Sequence, residues 1–307
     1  MLIDVHAHQI PRKYNETIAP GSRQVPSLLT SQTIEERLRL MDEAEVDVQV
    51  LSPANLAPYF ESEANANEAA RILNDGYAEF TNRLPKRFKA YVSLPMPHVD
   101  ASLHEMERGL DLLGFGGVTL GCSILNRPVI EKKFEPLFQE MNRRRAILFF
   151  HPVVNGLCSP LLNDFNLAGS VGTTMEDTVV ALHMIIGQIP HRYPDIKIIV
   201  PHFGGLIPML LHRLDNQLAA TYGDLPEKPS ITAKRFWYDT VGHGSAAALR
   251  CAYEAFGPDH LLTGSDYPVL LPYESYAQTF SYIRNVGLPE NVANQILHHS
   301  ARALFGL

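Results

Sequence analysis

Short apolar runs rich in β-branched and aromatic residues recur along the chain, and longer amphipathic stretches separate them. Runs of this length and composition, bounded by charged or turn-forming residues, predict β-strands. Eight such runs are present, at residues 2–6, 46–52, 88–94, 115–121, 146–151, 196–202, 235–241 and 260–265. The pattern therefore predicts eight strands spread over the whole chain.

The stretches between the strands have apolar residues every three or four positions, which indicates helices with one buried face. In TIEERLRLMDEA, Ile34, Leu38 and Met41 fall near one face and Thr33 is a candidate N-cap. The predicted helices cover 33–44, 64–84, 102–113, 134–144, 175–193, 206–222, 245–256 and 290–305. Eight strands that alternate with eight helices predict a parallel α/β sheet closed into a (β/α)8 TIM barrel.

A doubly wound open sheet is the alternative fold, but the sequence lacks the Gly-rich phosphate loop that such a fold would carry after an early strand. No low-complexity tract or long polar linker interrupts the 307 residues, so we expect a single domain over 1–307. Residues 10–32 and 152–174 look like insertions that follow the first and fifth strands. We expect both to lie at the C-terminal face of the barrel and to shape a pocket there.

The composition is that of an ordinary globular protein, with 46% hydrophobic and 19% charged residues and a net charge of -7. This mild acidity argues against nucleic acid or an anionic membrane surface as a partner. No apolar run approaches the roughly 20 residues of a membrane span, and no signal-peptide pattern opens the chain. Three cysteines, odd in number and far apart, fit a reducing compartment. We therefore expect a cytoplasmic protein.

Polar side chains interrupt the apolar runs at the points where several strands should end. His6 and His8 close the first strand, His151 the fifth (FFHPVV), His202 the sixth (IIVPHFGG) and Asp266 the eighth (LLTGSDYP). A lone histidine there would usually be a hydrogen-bonded core residue. Strand ends of a barrel converge on one point, however, and three imidazoles with a carboxylate suit a divalent ion such as Zn²⁺.

These motifs resemble the amidohydrolase superfamily. DVHAH, the HP after the fifth strand, HFGG and GSDYP carry the resemblance. MERGLDLLGFGGVTLG (106–121), HRYPDIKIIVPHFGG (191–205) and the closing ILHHSARALFGL are similar, more narrowly, to the branch of aminocarboxymuconate-semialdehyde decarboxylase and the salicylate-type hydroxybenzoate decarboxylases. The resemblance spans essentially the whole chain.

The resemblance implies one catalytic divalent metal ion, and we expect no organic cofactor. The donor atoms favour Zn²⁺, with Mn²⁺ as the alternative. Its ligands would be His6, His8, His151 and Asp266. His202 would lie next to the metal as an acid/base or water-orienting group. The fourth strand ends Thr119-Leu120-Gly121, without the lysine that can bridge two metals in relatives, so we expect a mononuclear site.

The resemblance also implies that Arg213, eleven residues after His202, reaches into a neighbouring subunit and binds the substrate carboxylate. Guanidinium groups suit that role because their donors form a fixed fork. This would make the protein a homodimer or a dimer-based oligomer. The alternative is a surface ion pair between Arg213 and Asp215.

Further candidates for substrate binding are Arg23 in the first insertion, Phe165 in the second and His243 after the seventh strand. Two other carboxylates are expected to be structural. Asp239 is predicted to be buried and hydrogen-bonded. Asp4 is predicted to share the inward face of the first strand with the two histidines, as a hydrogen-bonded interior carboxylate.

The predicted reaction is the metal-dependent, oxygen-independent decarboxylation of a small aromatic or unsaturated acid. A bound metal would orient the carboxylate and stabilise charge, and His202 and Asp266 would handle protons. The alternative is a hydratase or a hydrolase of lactones or amides, because water attack on an sp² carbon would use the same ligands. A non-enzymatic, metal-stabilised scaffold is the remaining possibility.

Overall fold

The computed structural model describes residues 1–18, 29 and 32–307 of the chain. Within these residues, parallel strands pair in chain order to form an eight-stranded sheet. The strands are β1 (Ile3–His8), β2 (Val48–Ser52), β3 (Phe88–Ser93), β4 (Gly117–Gly121), β5 (Ile147–His151), β6 (Lys197–Val200), β7 (Trp237–Asp239) and β8 (Leu261–Leu262). The last two strands are shorter than the sequence predicts.

The sheet closes because the segment that continues β8 runs beside β1 and bonds to its backbone. Val5 N donates to Thr263 O at 2.9 Å, Asp266 N donates to His6 O at 2.8 Å, and His8 N donates to Tyr267 O at 2.7 Å. The predicted (β/α)8 barrel is confirmed, and the open-sheet alternative is wrong.

Helices surround the barrel in the described part of the chain. They are α1 (Arg12–Ile18), α2 (Ile34–Glu43), α3 (Glu63–Arg83), α4 (Val99–Glu107), α5 (Glu135–Arg144), α6 (Pro160–Asn163), α7 (Thr173–Ile186), α8 (Ile189–Arg192), α9 (Ile207–Thr221), α10 (Pro229–Ala233), α11 (Ala246–Phe256), α12 (Gln278–Asn285), α13 (Glu290–Asn294) and α14 (Ser300–Phe305). Over the same residues, no helix combines the length and apolar character that crossing a bilayer requires.

Local side chains explain where several helices begin and break. The predicted cap of α2 is confirmed, because Thr33 Oγ1 accepts a hydrogen bond from Glu36 N at 3.1 Å. The predicted helix over 175–193 is interrupted after Ile186, where Gln188 adopts a φ of 55° and Pro190 follows. Helix α12 was not predicted.

The interior of the barrel is filled by apolar side chains from alternate strand positions. Tyr91 and Phe149 stack inside it with ring centroids 4.9 Å apart, and Leu304 of α14 belongs to the same cluster. A second, larger apolar layer lies between the strands and the surrounding helices. Packing on both faces leaves the strand ends as the place where polar side chains can meet.

The alternation of side chains along β1 is broken by an irregularity in its pairing with β2, between Asp4 and Ala7. Ile3 and Val5 belong to the interior cluster. Asp4 is instead hydrogen-bonded to Ser265, Gln49 and Tyr276, so the expectation that it shares a face with His6 and His8 is wrong. Strict period-two alternation fails here because the irregularity shifts the strand register.

Candidate metal centre

The ends of β1 and β5 and the turn after β8 bring four side chains together at one mouth of the barrel. His6, His8, His151 and Asp266 each offer one ligand atom, and these atoms all lie within 4.8 Å of one another. Asp266 Oδ1 is 2.7 Å from His8 Nε2 and 3.4 Å from His6 Nε2. The three imidazole centroids lie 4.7 to 5.1 Å apart. The structure thus places the four predicted ligands in one cluster.

Each of the three rings has its Nδ1 occupied by a protein oxygen. The partners are Asp239 Oδ2 for His6 (2.7 Å), Ser52 Oγ for His8 (2.8 Å) and the Pro152 carbonyl for His151 (2.8 Å). Because carboxylate and carbonyl oxygens only accept, His6 and His151 carry a proton on Nδ1. In the neutral rings Nε2 is then the atom left to coordinate a cation, as in metal-binding histidines with an outer hydrogen bond.

A divalent cation fits this cluster on two grounds. His6 Nε2 is buried and, within the described residues, has no hydrogen-bond partner, which a cation would supply. The donors also have the right charges. Burial holds the pKa of His151 well below its usual value. Burial raises the pKa of Asp266, but the adjacent imidazoles of His6 and His8 outweigh it and hold that pKa well below its usual value. A neutral imidazole and an ionised carboxylate are what a borderline metal ion binds.

Protons and a cation compete for His6. Burial lowers its pKa, but the carboxylates of Asp239 and Asp266 raise it more, to about 10. Two anionic groups therefore draw one positive charge to this point, either as a proton on His6 or as a metal ion. Binding of a metal there must release the proton.

His202 lies beside the cluster, and its ring is held by Asp177, a carboxylate outside the four. Its ring centroid is 5.3 Å from that of His6 and 6.5 Å from that of His151. Its Nδ1 is 2.8 Å from Asp177 Oδ2, which leaves Nε2 as the nitrogen free of hydrogen bonds within the described part of the chain. Burial lowers the pKa of His202, but the carboxylate of Asp177 raises it by more, so the pKa lies above its usual value. His202 is suited to hold and deliver a proton.

Asp239 forms hydrogen bonds with both His6 of the cluster and His202. This fully buried carboxylate bonds His6 Nδ1 through Oδ2 and accepts from His202 N at 2.9 Å through Oδ1. Oδ1 also accepts from Val241 N at 3.1 Å. The predicted buried, hydrogen-bonded state of Asp239 is confirmed, and the contacts give it a role in orienting both histidines.

The turn after β6 adopts backbone conformations that fix His202. His202 and Phe203 have φ values of 50° and 58°, and Gly205 follows with 61°. A Cβ on Gly205 would lie 2.0 Å from the carbonyl oxygen of Thr174, so only glycine allows this contact with α7. Asp266 likewise has a φ of 60°. Such conformations are held by surrounding structure and often occur at functional sites.

Two acidic residues on α7 contribute to the site and were missed from sequence. Asp177 holds the ring of His202. Glu176, its neighbour, accepts from the backbone nitrogens of the four residues 153–156 at 2.7 to 3.1 Å and so fixes the turn that follows His151. The available signal was the pair of adjacent carboxylates in MEDTVVALHMII, at the start of a strongly apolar helix.

Arg213 lies on the exposed face of α9, one turn after Met209, which is 73% exposed. No ion pair or hydrogen bond of Arg213 occurs within the residues described. The ion pair with Asp215 that was the alternative is not formed, since residues two apart on a helix do not face each other. Asp215 instead accepts from Ser230 N at 2.8 Å and from its hydroxyl at 2.7 Å. Arg213 is therefore free to bind a group from outside this chain.

The other candidates for substrate binding lie at the surface or outside the described residues. His243, with a φ of 49°, is exposed and has its ring centroid 5.6 Å from that of Tyr273. Phe165, just after α6, is 70% exposed. Arg23 lies outside the described residues. Their predicted roles stay predictions.

Comparison with known proteins identifies relatives that share this architecture. The amidohydrolase family profile matches residues 3–307. A 2-amino-3-carboxymuconate-6-semialdehyde decarboxylase from Dictyostelium discoideum is 28% identical over 238 residues, which cover 76% of this chain and 66% of that protein. A 6-methylsalicylic acid decarboxylase from Penicillium expansum is 26% identical over 315 residues, covering 99% and 95%.

A crystal structure of 5-carboxyvanillate decarboxylase from Sphingomonas paucimobilis superposes with a TM-score of 0.85 at 25% identity and covers 100% of this chain and 99% of that one. The resemblance drawn from the strand-end motifs is confirmed by these matches. The chain belongs to the amidohydrolase family.

Proposed function

We propose that this protein is a metal-dependent, oxygen-independent decarboxylase of a small aromatic or unsaturated carboxylic acid. The observation that carries the proposal is the cluster of His6, His8, His151 and Asp266, with His202 held beside it by a different carboxylate. Relatives named as decarboxylases of carboxymuconate semialdehyde, 6-methylsalicylate and 5-carboxyvanillate support the same class of reaction.

The cofactor in this proposal is one divalent metal ion, Zn²⁺ in the first place and Mn²⁺ as the alternative, with no organic cofactor. The residues that would hold it are the four of the cluster, through the Nε2 atoms and the Asp266 carboxylate. When bound, the ion supplies positive charge that neutralises and orients the substrate carboxylate and a neighbouring oxygen.

His202 performs the proton transfer in this mechanism. Its Nε2 donates a proton to the carbon that bears the carboxylate, which interrupts the conjugation of the substrate and weakens the bond to the carboxylate. That C–C bond then breaks, its electron pair restores the conjugated system, and CO₂ leaves. Asp177 stays ionised beside Nδ1 and stabilises the protonated ring before the transfer. Asp266 is the second candidate for handling protons.

Arg213 binds the substrate carboxylate from a neighbouring subunit in this proposal. Its exposure on α9, without a partner in the described part of its own chain, supports a role in a homodimer or dimer-based oligomer. Phe165, His243 and Arg23 are proposed to contact the remainder of the substrate. The single-domain organisation and the cytoplasmic location also belong to this proposal.

The test measures metal content and CO₂ release together. Wild-type protein is incubated with 6-methylsalicylate, 2,6-dihydroxybenzoate and 5-carboxyvanillate, each ¹³C-labelled in the carboxyl group. We expect ¹³CO₂ from at least one acid, and loss of both bound metal and turnover in His6→Ala and Asp266→Ala. His104→Ala, which removes an exposed histidine of α4, is the matched control.

Full turnover by a metal-free preparation would end the proposal. Uptake of water without release of CO₂, by these acids or by lactones and amides, would favour the hydratase or hydrolase alternative.

A further inference from the structure

We infer that Asp177 is a positioning residue for His202, and that Cys122 helps to hold Asp177 by bonding its other carboxylate oxygen. The inference rests on the proposed function for its kinetic consequence, but its structural content does not. Asp177 is fully buried, and its two oxygens have different partners. Oδ2 accepts from His202 Nδ1 at 2.8 Å, and Oδ1 accepts from Cys122 Sγ at 3.5 Å. A Cys–Asp–His chain therefore runs from β4 through α7 to the end of β6.

The position of Asp177 is fixed by its own helix. The next residue, Thr178, accepts from Leu206 N at 2.8 Å and donates to Thr174 O at 2.7 Å. The close approach of Gly205 to Thr174 holds the same turn against α7. Helix α7 thus contacts this turn at two points. Thr178 bonds the backbone that follows His202, and Asp177 bonds the His202 ring. The carboxylate and the imidazole cannot drift apart independently.

Cys122 is placed by backbone contacts of its own. It directly follows β4, and its backbone nitrogen donates to His151 O at 2.9 Å. Its buried thiol is a weak donor, so it satisfies Asp177 Oδ1 without withdrawing much charge from the carboxylate. Most of the negative charge of Asp177 is left to face His202.

The functional consequence concerns which nitrogen of His202 carries a hydrogen and which faces the substrate. A free imidazole can place its proton on either nitrogen, and only the ring with Nδ1 committed presents Nε2 for transfer. Removal of an orienting carboxylate costs about 10⁴-fold in kcat in serine proteases. Here we expect about 10²- to 10³-fold, because the backbone contacts around His202 remain in place.

The experiment compares Asp177→Asn with wild type in two readouts. The first is kcat and KM for whichever acid the wild type decarboxylates, at equal metal content. The second is the ¹H–¹⁵N correlation of the histidine rings, in which the Nδ1–H of His202, assigned through His202→Gln, should resonate far downfield because it faces a buried carboxylate. We expect Asp177→Asn to lower kcat about 10²-fold or more, to leave KM within about twofold, and to lose the downfield signal.

Glu176→Gln is the matched control, since it changes the adjacent carboxylate of the same helix. It should affect KM through the turn at 153–156 and leave the His202 signal in place. If Asp177→Asn does not fold, Cys122→Ala is used instead. It should shift the same signal and lower kcat about three- to tenfold.

An unchanged His202 signal or unchanged kcat in the Asp177 or Cys122 variant would overturn the inference, as would equal signal loss in Glu176→Gln. Parallel loss of metal and kcat would overturn it too, because it would mean a merely structural role. If the wild type decarboxylates none of the acids, the proposed function fails, and the ring signal alone decides the role of Asp177.

Discussion

Replacing Asp239 with asparagine should weaken metal binding, although Asp239 is not one of the four candidate ligands. It contacts Nδ1 of His6 and not Nε2, the nitrogen that faces the cluster. Its Oδ1 accepts two backbone N–H groups, from His202 at 2.9 Å and Val241 at 3.1 Å. Its Oδ2 faces His6 Nδ1 at 2.7 Å. If the amide of asparagine keeps its oxygen on the two backbone donors, its NH₂ group must face His6 Nδ1.

An NH₂ group at that point forces the hydrogen of His6 from Nδ1 to Nε2, the atom that faces the cluster. The opposite orientation of the amide sets its NH₂ against the two backbone N–H groups of His202 and Val241. Either arrangement sacrifices one interaction in a fully buried place. Loss of such an outer hydrogen bond typically reduces metal affinity about 10- to 100-fold, or about 1.4 to 2.8 kcal/mol.

Affinity is measured by competition with a chelator for Zn²⁺ and for Mn²⁺. Thr240→Val is the matched control on the same stretch, because Thr240 is fully buried and its hydroxyl has no partner in the described part of the structure. We expect the control to keep wild-type affinity. Affinity of folded Asp239→Asn within twofold of wild type would refute the argument that Asp239 sets the protonation of His6.

Three further predictions concern catalysis, assembly and acid stability. His202→Ala should lose at least about 10²-fold in turnover and keep its metal, so metal loss in elemental analysis would make His202 a ligand. Mixed dimers of His6→Ala and Arg213→Ala subunits should regain part of the activity; verified heterodimers without activity would argue against a shared site. Hydrogen bonds from Arg235 lower the pKa of Glu227 from 4.5 to about 2, so its stabilisation is full above pH 4.5 and declines as the pH falls towards 2. In urea denaturation, Glu227→Gln should lower the free energy of unfolding by about 1 kcal/mol at pH 7, a magnitude that allows for screening by solvent. The loss should be smaller at pH 3, and an equal loss at both pH values would contradict this prediction.

Much of the barrel and of its metal cluster could be predicted because both follow from local patterns. Each strand is a short apolar run, and the carboxyl ends of parallel strands share one edge. A polar residue at the end of such a run, such as His6, His151 or Asp266, therefore has a defined place before any packing is known. The irregularity within β1 was not predictable, since it depends on pairing with β2.

The supporting residues were harder to predict because tertiary packing decides them. Glu176 and Asp177 lie near the start of an otherwise apolar helix, and adjacent carboxylates usually face solvent. Only the approach of the turns after β5 and β6 makes both of them buried acceptors. Helix α12 was missed for a related reason, because its polar residues outweigh its short apolar face until it packs on the barrel. For Arg213 the single chain shows only an exposed side chain on α9, and its proposed role in a neighbouring subunit needs a second copy to test.

The four candidate metal ligands lie on both sides of the line where β1 meets the continuation of β8 and the barrel closes. His8 and Asp266 contact each other across 258 residues of chain, and β1 meets the continuation of β8 at that same line. During synthesis, His6 and His8 are added to the chain long before Asp266, the last of the four candidate ligands. An ion that needs all four ligands could therefore bind only after residue 266 has been made. A bound ion would hold the first and last strands together across a very long loop, whose closure costs the unfolded chain entropy. The complete set of four candidate ligands is thus a property of the closed barrel and not of any shorter segment of the chain.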